Sequence, residues 1–157
     1  MPQAREITES EVHEFLHRFV ETYEKGDKAF FDCFSKNASV FTISSPTRID
    51  GADEFRRGFE PFLEGKSTRR SQILSPAISI EGGTAVVTYH NRIQVDGRST
   101  NLRSTLVLTR DDSGRLRASH LHNSPLESPP VRPRTVEELQ LIEERVATTI
   151  GAVGTPK

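Results

Sequence analysis

The chain has 157 residues, of which 34% are hydrophobic and 27% are charged, and its formal net charge is −1. This length suits one domain with a single core, and the near-neutral charge gives no reason to expect nucleic acid or an anionic membrane as a partner. No stretch approaches the ~20 apolar residues of a membrane span, the polar amino terminus does not resemble a secretory signal, and one cysteine cannot form an internal disulfide, so we expect a cytoplasmic protein.

The first part of the chain has helical patterns rich in phenylalanine, and all nine phenylalanines lie between Phe15 and Phe62. Thr8 opens a capping box with Glu11, and Gly26 is a typical helix end, so the sequence predicts a first helix between them. Its apolar stripe consists of Val12, Phe15, Phe19 and Tyr23.

Three further elements are predicted before the middle of the chain. A short helix covers residues 28–34 and a strand covers residues 38–43. A third helix follows Gly51, with Phe55 and Phe59 on one face, and Pro61 predicts a kink or an end near Glu60.

The second half changes to β-branched residues at alternating spacing, which is typical of strands. Tight turns such as Asp96-Gly97 separate four long segments, as in a meander. The predicted strands cover residues 71–80, 84–95, 100–110 and 116–124. Helices followed by strands predict an α+β fold, in which a curved antiparallel sheet wraps around the helices and leaves a cavity at its mouth.

The composition changes again after Pro125. We predict one domain over residues 1–125 and an extended Pro-rich linker over 126–134. A second capping box then opens a C-terminal amphipathic helix over 135–150, and a disordered tail over 151–157 ends the chain.

Two histidines are the first candidates for chemistry. His120 and His122 are two apart in a predicted strand and therefore share one face with Ser124. They could form a metal site or an acid/base pair, with His90 as a possible third member, or they could be a hydrogen-bonded pair. Because no acidic residue is near in sequence, we expect no metal.

The charges of the sheet are unevenly distributed. From residue 70 to 124 all carboxylates fall in predicted turns, whereas histidines and arginines fall on strands. This pattern predicts a neutral to cationic cavity that suits an anionic ligand. Arg103 is our candidate for holding the ligand's charge, although its parity conflicts with Leu102 and would require a bulge.

Other kinds of site are not indicated. Cys33 lies in an aromatic helix and is interpreted as a small buried hydrophobe. The glycines form no phosphate-binding loop, so no cofactor is expected.

Several segments together resemble the SnoaL-like, or nuclear transport factor 2-like, superfamily, and most closely the association (hub) domain of calcium/calmodulin-dependent protein kinase II. The likeness covers residues 11–125. The segments that carry it are Gly26-Asp27, residues 73–80, Tyr89, Arg103-Ser104-Thr105, Gly114-Arg115-Leu116 and residues 120–124.

The resemblance implies a cone-shaped, cystatin-like fold and oligomers, commonly dimers, formed through the outer face of the sheet. It does not imply an activity, because this fold hosts both enzymes and binding modules. Steroid isomerases of the superfamily use a tyrosine and an aspartate where this chain has Phe19 and Thr42, and an aspartate on a strand that here, over residues 102–110, contains no acid. The two pocket arginines of the hub domain correspond to Asn91 and a position near Leu106.

We therefore predict a homodimer that binds a small, anionic or polar metabolite in the cone. The alternative is a lyase or isomerase that uses His120 or His122 as acid/base on a small carbonyl or carboxylate substrate. The predicted pocket residues are Phe19, Tyr23, Tyr89, Asn91, Arg103, His120 and His122.

Overall fold

A computed structural model describes residues 5–126. These residues form two α-helices, one 3-10 helix and six strands. All the helices precede the four long strands in the chain. The elements are α1 (Glu9–Lys25), the 3-10 helix (Lys28–Cys33), β1 (Phe34–Phe41), β2 (Ile49–Asp50), α2 (Ala52–Glu64), β3 (Arg69–Glu81), β4 (Thr84–Val95), β5 (Arg98–Arg110) and β6 (Leu116–Leu126).

The strands form one curved, unclosed sheet in the order β2-β1-β6-β5-β4-β3. The four long strands pair antiparallel with their neighbours in sequence, which confirms the predicted meander. β1 pairs parallel with β6, a long-range contact that the sequence did not indicate. The α+β class and the helices-first order are confirmed.

The predicted capping box and C-terminal glycine of α1 are both present in the structure. The Thr8 side chain accepts from the Glu11 backbone, and the Glu11 carboxylate accepts from the Thr8 backbone at 2.9 Å. Gly26 ends the helix in the left-handed conformation, with φ of +66°.

Two predictions about the middle of the chain need correction. The predicted end of the third helix near Glu60 is wrong, because α2 continues through Pro61 to Glu64, whereas the alternative of a kink stays a prediction. Pro61 and Arg57, the residue four positions before it, are both exposed, so the carbonyl that loses its helical partner can bond to water. The predicted strand at 38–43 instead begins at Phe34 and ends at Phe41.

The predicted C-terminal elements lie almost entirely outside the described residues. β6 extends through Leu126, the first residue of the predicted linker. The rest of that linker, the predicted helix at 135–150 and the tail at 151–157 remain predictions. No helix within residues 5–126 combines the length and apolar character needed to cross a membrane.

A cluster of aromatic rings forms the part of the core between the helices and the inner face of the sheet. Phe30 is central, with its ring centroid 5.2 Å from that of Phe19 and 5.5 Å from that of Phe34. Phe55 of α2 packs edge-on against Phe34 at 4.9 Å. Each buried ring contributes roughly 1.5–3 kcal/mol, so this cluster fixes both helices over the sheet.

Gly26 should be the glycine least tolerant of a side chain. A Cβ there would collide with the Arg69 guanidinium and lie 2.7 Å from the Leu63 carbonyl oxygen, at a φ that already disfavours L-residues. We expect Gly26→Ala to lower the free energy of unfolding by about 3 kcal/mol, measured by urea denaturation.

Gly114→Ala is the matched control for this prediction. Gly114 has φ of +83° but nothing within 4 Å of the added Cβ, so only the conformational cost of about 1 kcal/mol applies. Equal losses for the two variants would contradict the close packing at Gly26.

Candidate functional site

A cavity of about 410 Å³ lies between the two helices and the inner face of the sheet. Its volume is in the range of sites for small organic molecules. Helical residues supply most of one wall and β4, β5 and β6 supply the other. The lining residues are Phe19, Val20, Tyr23, Phe30, Thr42, Ile43, Ser44, Phe55, Gly58, Phe59, Phe62, Ser71, Tyr89, Asn91, Ile93, Val95, Thr100, Leu102, Leu121 and Asn123.

The wall is mainly apolar and uncharged. Among the described residues that line it there is no lysine, arginine, histidine, cysteine or carboxylate. Of the neutral to cationic range predicted from the sequence, the described lining is at the neutral end, because the strand arginines and histidines do not belong to it. Alternation along β4 places Tyr89 and Asn91 inside, whereas His90 and Arg92 fall on the opposite face.

Two hydrogen-bonded pairs belong to the polar part of the cavity, which also includes Thr42, Ser44 and Thr100. The Ser71 hydroxyl donates to Asn91 Oδ1 at 2.9 Å, and the Ser104 hydroxyl donates to Asn123 Oδ1 at 2.6 Å. Both amide oxygens are thus occupied by serines. Within residues 5–126 neither amide nitrogen has a protein acceptor, so two N–H₂ groups can donate to a ligand.

The cavity holds two phenols that stay protonated. Burial raises the pKa of Tyr89, and burial also raises the pKa of Tyr23, partly offset by the positive charge of Arg69. Desolvation disfavours the phenolate because a charge is poorly solvated among aromatic rings. At neutral pH both phenols can donate hydrogen bonds but cannot act as bases.

The raised pKa values can be measured by ultraviolet absorbance, because the chain has two tyrosines and no tryptophan. In the folded protein at pH 10, where a free phenol is about half ionised, we expect clearly less than half of the tyrosine absorbance change. Unfolding in urea at the same pH should restore it. Half-ionisation at pH 10 with an intact circular dichroism spectrum would contradict the burial of both rings.

The predicted pocket residues separate into two groups. Phe19, Tyr23, Tyr89 and Asn91 line the cavity together. The histidines and Arg103 lie on the outer face of the sheet, away from the cavity.

The reason is that β5 has no bulge where Arg103 would need one. β4 and β5 pair without a register shift from Thr84 to Val95, so Arg103 keeps the parity opposite to buried Leu102. Its cross-strand partner is His90, on the same outer face.

His120 and His122 lie beside β1. His120 Nδ1 is 2.7 Å from the Ser39 hydroxyl, and the two imidazole centroids are 6.4 Å apart. Phe41 packs against both rings, at 5.8 and 5.1 Å between centroids. Within the described residues no three histidine, cysteine or acidic side chains are grouped as a metal site would require.

Three polar residues are absent from the pocket predicted from the sequence. Ser71 and Asn123 line the cavity, and Ser104 donates to Asn123 from the neighbouring strand. Asn123 shares the parity of Leu121, a core residue, and this parity was the available signal.

Comparisons with solved structures agree with this fold. The CaMKII hub of S. rosetta is 19% identical, with a TM-score of 0.64 over 80% of this chain and 98% of the hub. A nuclear transport factor 2-like superfamily protein from Salmonella enterica is 19% identical, with a TM-score of 0.64 over 81% and 94% of the two chains.

A third similar structure, from Catenulispora acidiphila in complex with S-DNPA, is 20% identical, with a TM-score of 0.58 over 73% of this chain and 91% of the other. At these identities the likeness establishes the fold alone. No curated protein matches the sequence. The SnoaL-like domain model, in contrast, matches residues 12–128, three quarters of the sequence. The chain therefore belongs to the SnoaL-like domain family.

Proposed function

We propose that this protein binds a small, uncharged and mostly apolar organic molecule in the cone cavity, and that it does so as a homodimer. The observation that carries the first part is the cavity wall: aromatic and aliphatic side chains with no ionised group among the described lining residues. Enclosing a charged ligand without a counter-charge would be costly. This proposal replaces the anionic metabolite expected from the strand arginines and histidines.

The polar groups narrow the ligand further. The amide nitrogens of Asn91 and Asn123 and the phenols of Tyr23 and Tyr89 are donors, whereas the two asparagine oxygens already accept from serines. A ligand that complements them has oxygen acceptors, such as carbonyl or ether groups, on an aromatic or polycyclic body. Flat rings also suit a wall containing Phe19, Phe30 and Phe59.

Binding without turnover is favoured over the lyase or isomerase. General acid/base catalysis needs a group that can change protonation near neutral pH and reach the substrate. In the described lining the titratable groups are the two tyrosines, whose raised pKa keeps them protonated. His120 and His122 lie across the sheet from the cavity and have no access to a ligand there.

A matched pair of fluorescent probes tests the ligand class. N-phenylnaphthylamine and anilinonaphthalene sulfonate share one ring skeleton and differ by a sulfonate. We expect the neutral probe to bind at least about tenfold more tightly, since the sulfonate would be desolvated without a partner. Tighter binding of the sulfonate inside the cavity would overturn the proposal.

The homodimer is supported by the outer face of the sheet. Phe41, 37% exposed, lies there beside His120 and His122, and half-buried Val86 and Val107 continue the apolar surface. Light scattering should report twice the chain mass, and Phe41→Ser should shift the equilibrium toward monomer. Ile43→Ser is the control, because Ile43 is also exposed but borders the cavity. A strict monomer at micromolar concentration would refute the dimer.

A further inference from the structure

A second concave site lies on the outer face of the sheet and has the opposite character. We call it the outer groove; its volume is about 470 Å³. Six of its side chains form two rows across β4, β5 and β6. One row is His90, Arg103 and Ser124, and the other is Thr88, Thr105 and His122.

The composition of these rows is that of an oxyanion site. The rows contain one guanidinium, two imidazoles and three hydroxyls, and no carboxylate belongs to the described lining. Directly paired side chains lie roughly 5 Å apart across neighbouring strands. The two rows are therefore neighbours on one patch of the outer face, and Arg103 lies between His90 and Ser124 in the first of them.

The donors of the groove also lack partners. Within residues 5–126 Arg103 has neither an ion pair nor a side-chain hydrogen bond, whereas Arg110 and Arg117 each pair with a carboxylate. His90 Nδ1 is buried and has no hydrogen-bond partner in the described part of the chain. Because Nδ1 is buried, His90 can reach a ligand in the groove only through Nε2. Exposed Arg103 is available to the same ligand, since no carboxylate of the described residues neutralises it.

A bulge in β3 borders this groove. The pairing of β3 with β4 shifts register between Leu74 and Ala77, and Ser75 has φ of +52° in the left-handed region. Bulges bend a strand locally and interrupt its pairing. The irregularity lies next to His90, the partner of Leu74, and Ser75 belongs to the lining of the groove.

We propose that the outer groove binds an oxyanion, of the phosphate or carboxylate class, with Arg103 as its main charge partner and His90 and His122 as further donors. Arginine binds such groups through two parallel hydrogen bonds, and the hydroxyls of the rows can supply the remaining donors. This site is across the sheet from the cone cavity and does not depend on the ligand proposed there.

The same outer face is proposed for dimer contact. An oxyanion would then lie at or beside the interface, where it would offset the repulsion between the arginines of two copies. Binding and mass are therefore measured on the same samples. If the protein is a monomer that binds the anion, the homodimer is refuted and the oxyanion site is supported. If it is a dimer that does not bind the anion, the oxyanion site is refuted and the homodimer is supported.

Inorganic phosphate is the probe for the test. The full chain is titrated by calorimetry at constant ionic strength, alongside Arg103→Gln and Arg92→Gln. Arg92 is exposed on the same face of β4 but outside the groove, so it controls for the loss of one charge. We expect saturable binding that weakens at least about tenfold in Arg103→Gln and less than about twofold in Arg92→Gln.

Nuclear magnetic resonance of the histidine imidazoles gives a second measurement, which uses the wild-type protein. Phosphate should shift the signals of His90 and His122, while those of His13 and His17, exposed on α1, should stay in place. No saturation up to about 50 mM phosphate, a loss equal in the two arginine variants, or an equal shift of all histidines would overturn the proposal, since each indicates diffuse attraction at most.

Discussion

Replacing Arg69 with methionine is expected to lower the free energy of unfolding by about 3–5 kcal/mol. The Arg69 side chain is buried, with 5% of the residue exposed. It donates from Nε to the Tyr23 carbonyl at 3.2 Å, from Nη1 to the Phe62 carbonyl at 3.0 Å and from Nη2 to the Leu63 carbonyl.

These three carbonyls belong to the last turns of α1 and α2, where backbone donors run out. The Tyr23 carbonyl also accepts from the Gly26 backbone at 3.1 Å, so the Phe62 and Leu63 carbonyls depend most on Arg69. One guanidinium therefore completes two helix ends, and its charge is favourable at both. Its centre also lies 5.9 Å from the Tyr23 ring and 5.8 Å from the Phe62 ring, two residues of the cavity wall. Methionine preserves much of the volume but removes the side-chain donors of the Phe62 and Leu63 carbonyls and one of the two donors of the Tyr23 carbonyl.

The measurement is urea denaturation of the two neighbouring variants Arg69→Met and Arg70→Met. Arg70 is exposed on the other face of β3, so its loss should change stability by less than about 0.5 kcal/mol. If Arg69→Met does not fold, Arg69→Lys is measured in its place. We expect a smaller loss of stability in this variant, because lysine retains the charge but has one nitrogen to donate to three carbonyls. Equal stability of all three variants would contradict the role given to Arg69.

The second large effect concerns ligand entry. Gly58 of α2 lines the cavity and is exposed at its rim, and an added Cβ would meet nothing within 4 Å. A Gly58→Phe side chain can therefore enter open space without a clash. We expect it to raise the Kd of the neutral naphthyl probe by at least about tenfold.

Gly58→Ala is the control for this variant. Alanine leaves the rim open, so the Kd of the probe should change by less than about twofold, and the helix should gain about 0.5–1 kcal/mol. If Gly58→Phe binds the probe as well as the wild type, the probe occupies some other surface. That result would contradict the proposal that the probe binds in the cone cavity.

Much of the fold could be predicted because its determinants are local. The capping box at Thr8, the glycine at the end of α1 and the Asp96-Gly97 turn each act over a few residues. The parallel pairing of β1 with β6 could not be predicted in this way. It joins segments about eighty residues apart, and the pattern of either strand alone does not identify its partner.

The candidate site was predicted only in part, for one physical reason. Strand parity decides which side chains face the cavity, and a single bulge reverses it. A bulge beside Arg103 is needed to turn it inward, but the register shifts of the sheet occur elsewhere. They lie in β3 beside Ser75, in the β5–β6 pairing between Val107 and Leu108, and in the β1–β6 pairing between Phe34 and Ser39. Strict alternation from Leu102 would have placed Arg103 outside and Ser104 inside.

The most direct test of the central claim is a crystal structure of the chain grown with N-phenylnaphthylamine. We predict electron density for the probe in the cone cavity, between α2 and the sheet, with its rings against the aromatic wall of Phe19, Phe30 and Phe59. Density for the probe only on the outer face, with the cavity holding ordered water, would contradict the proposed function.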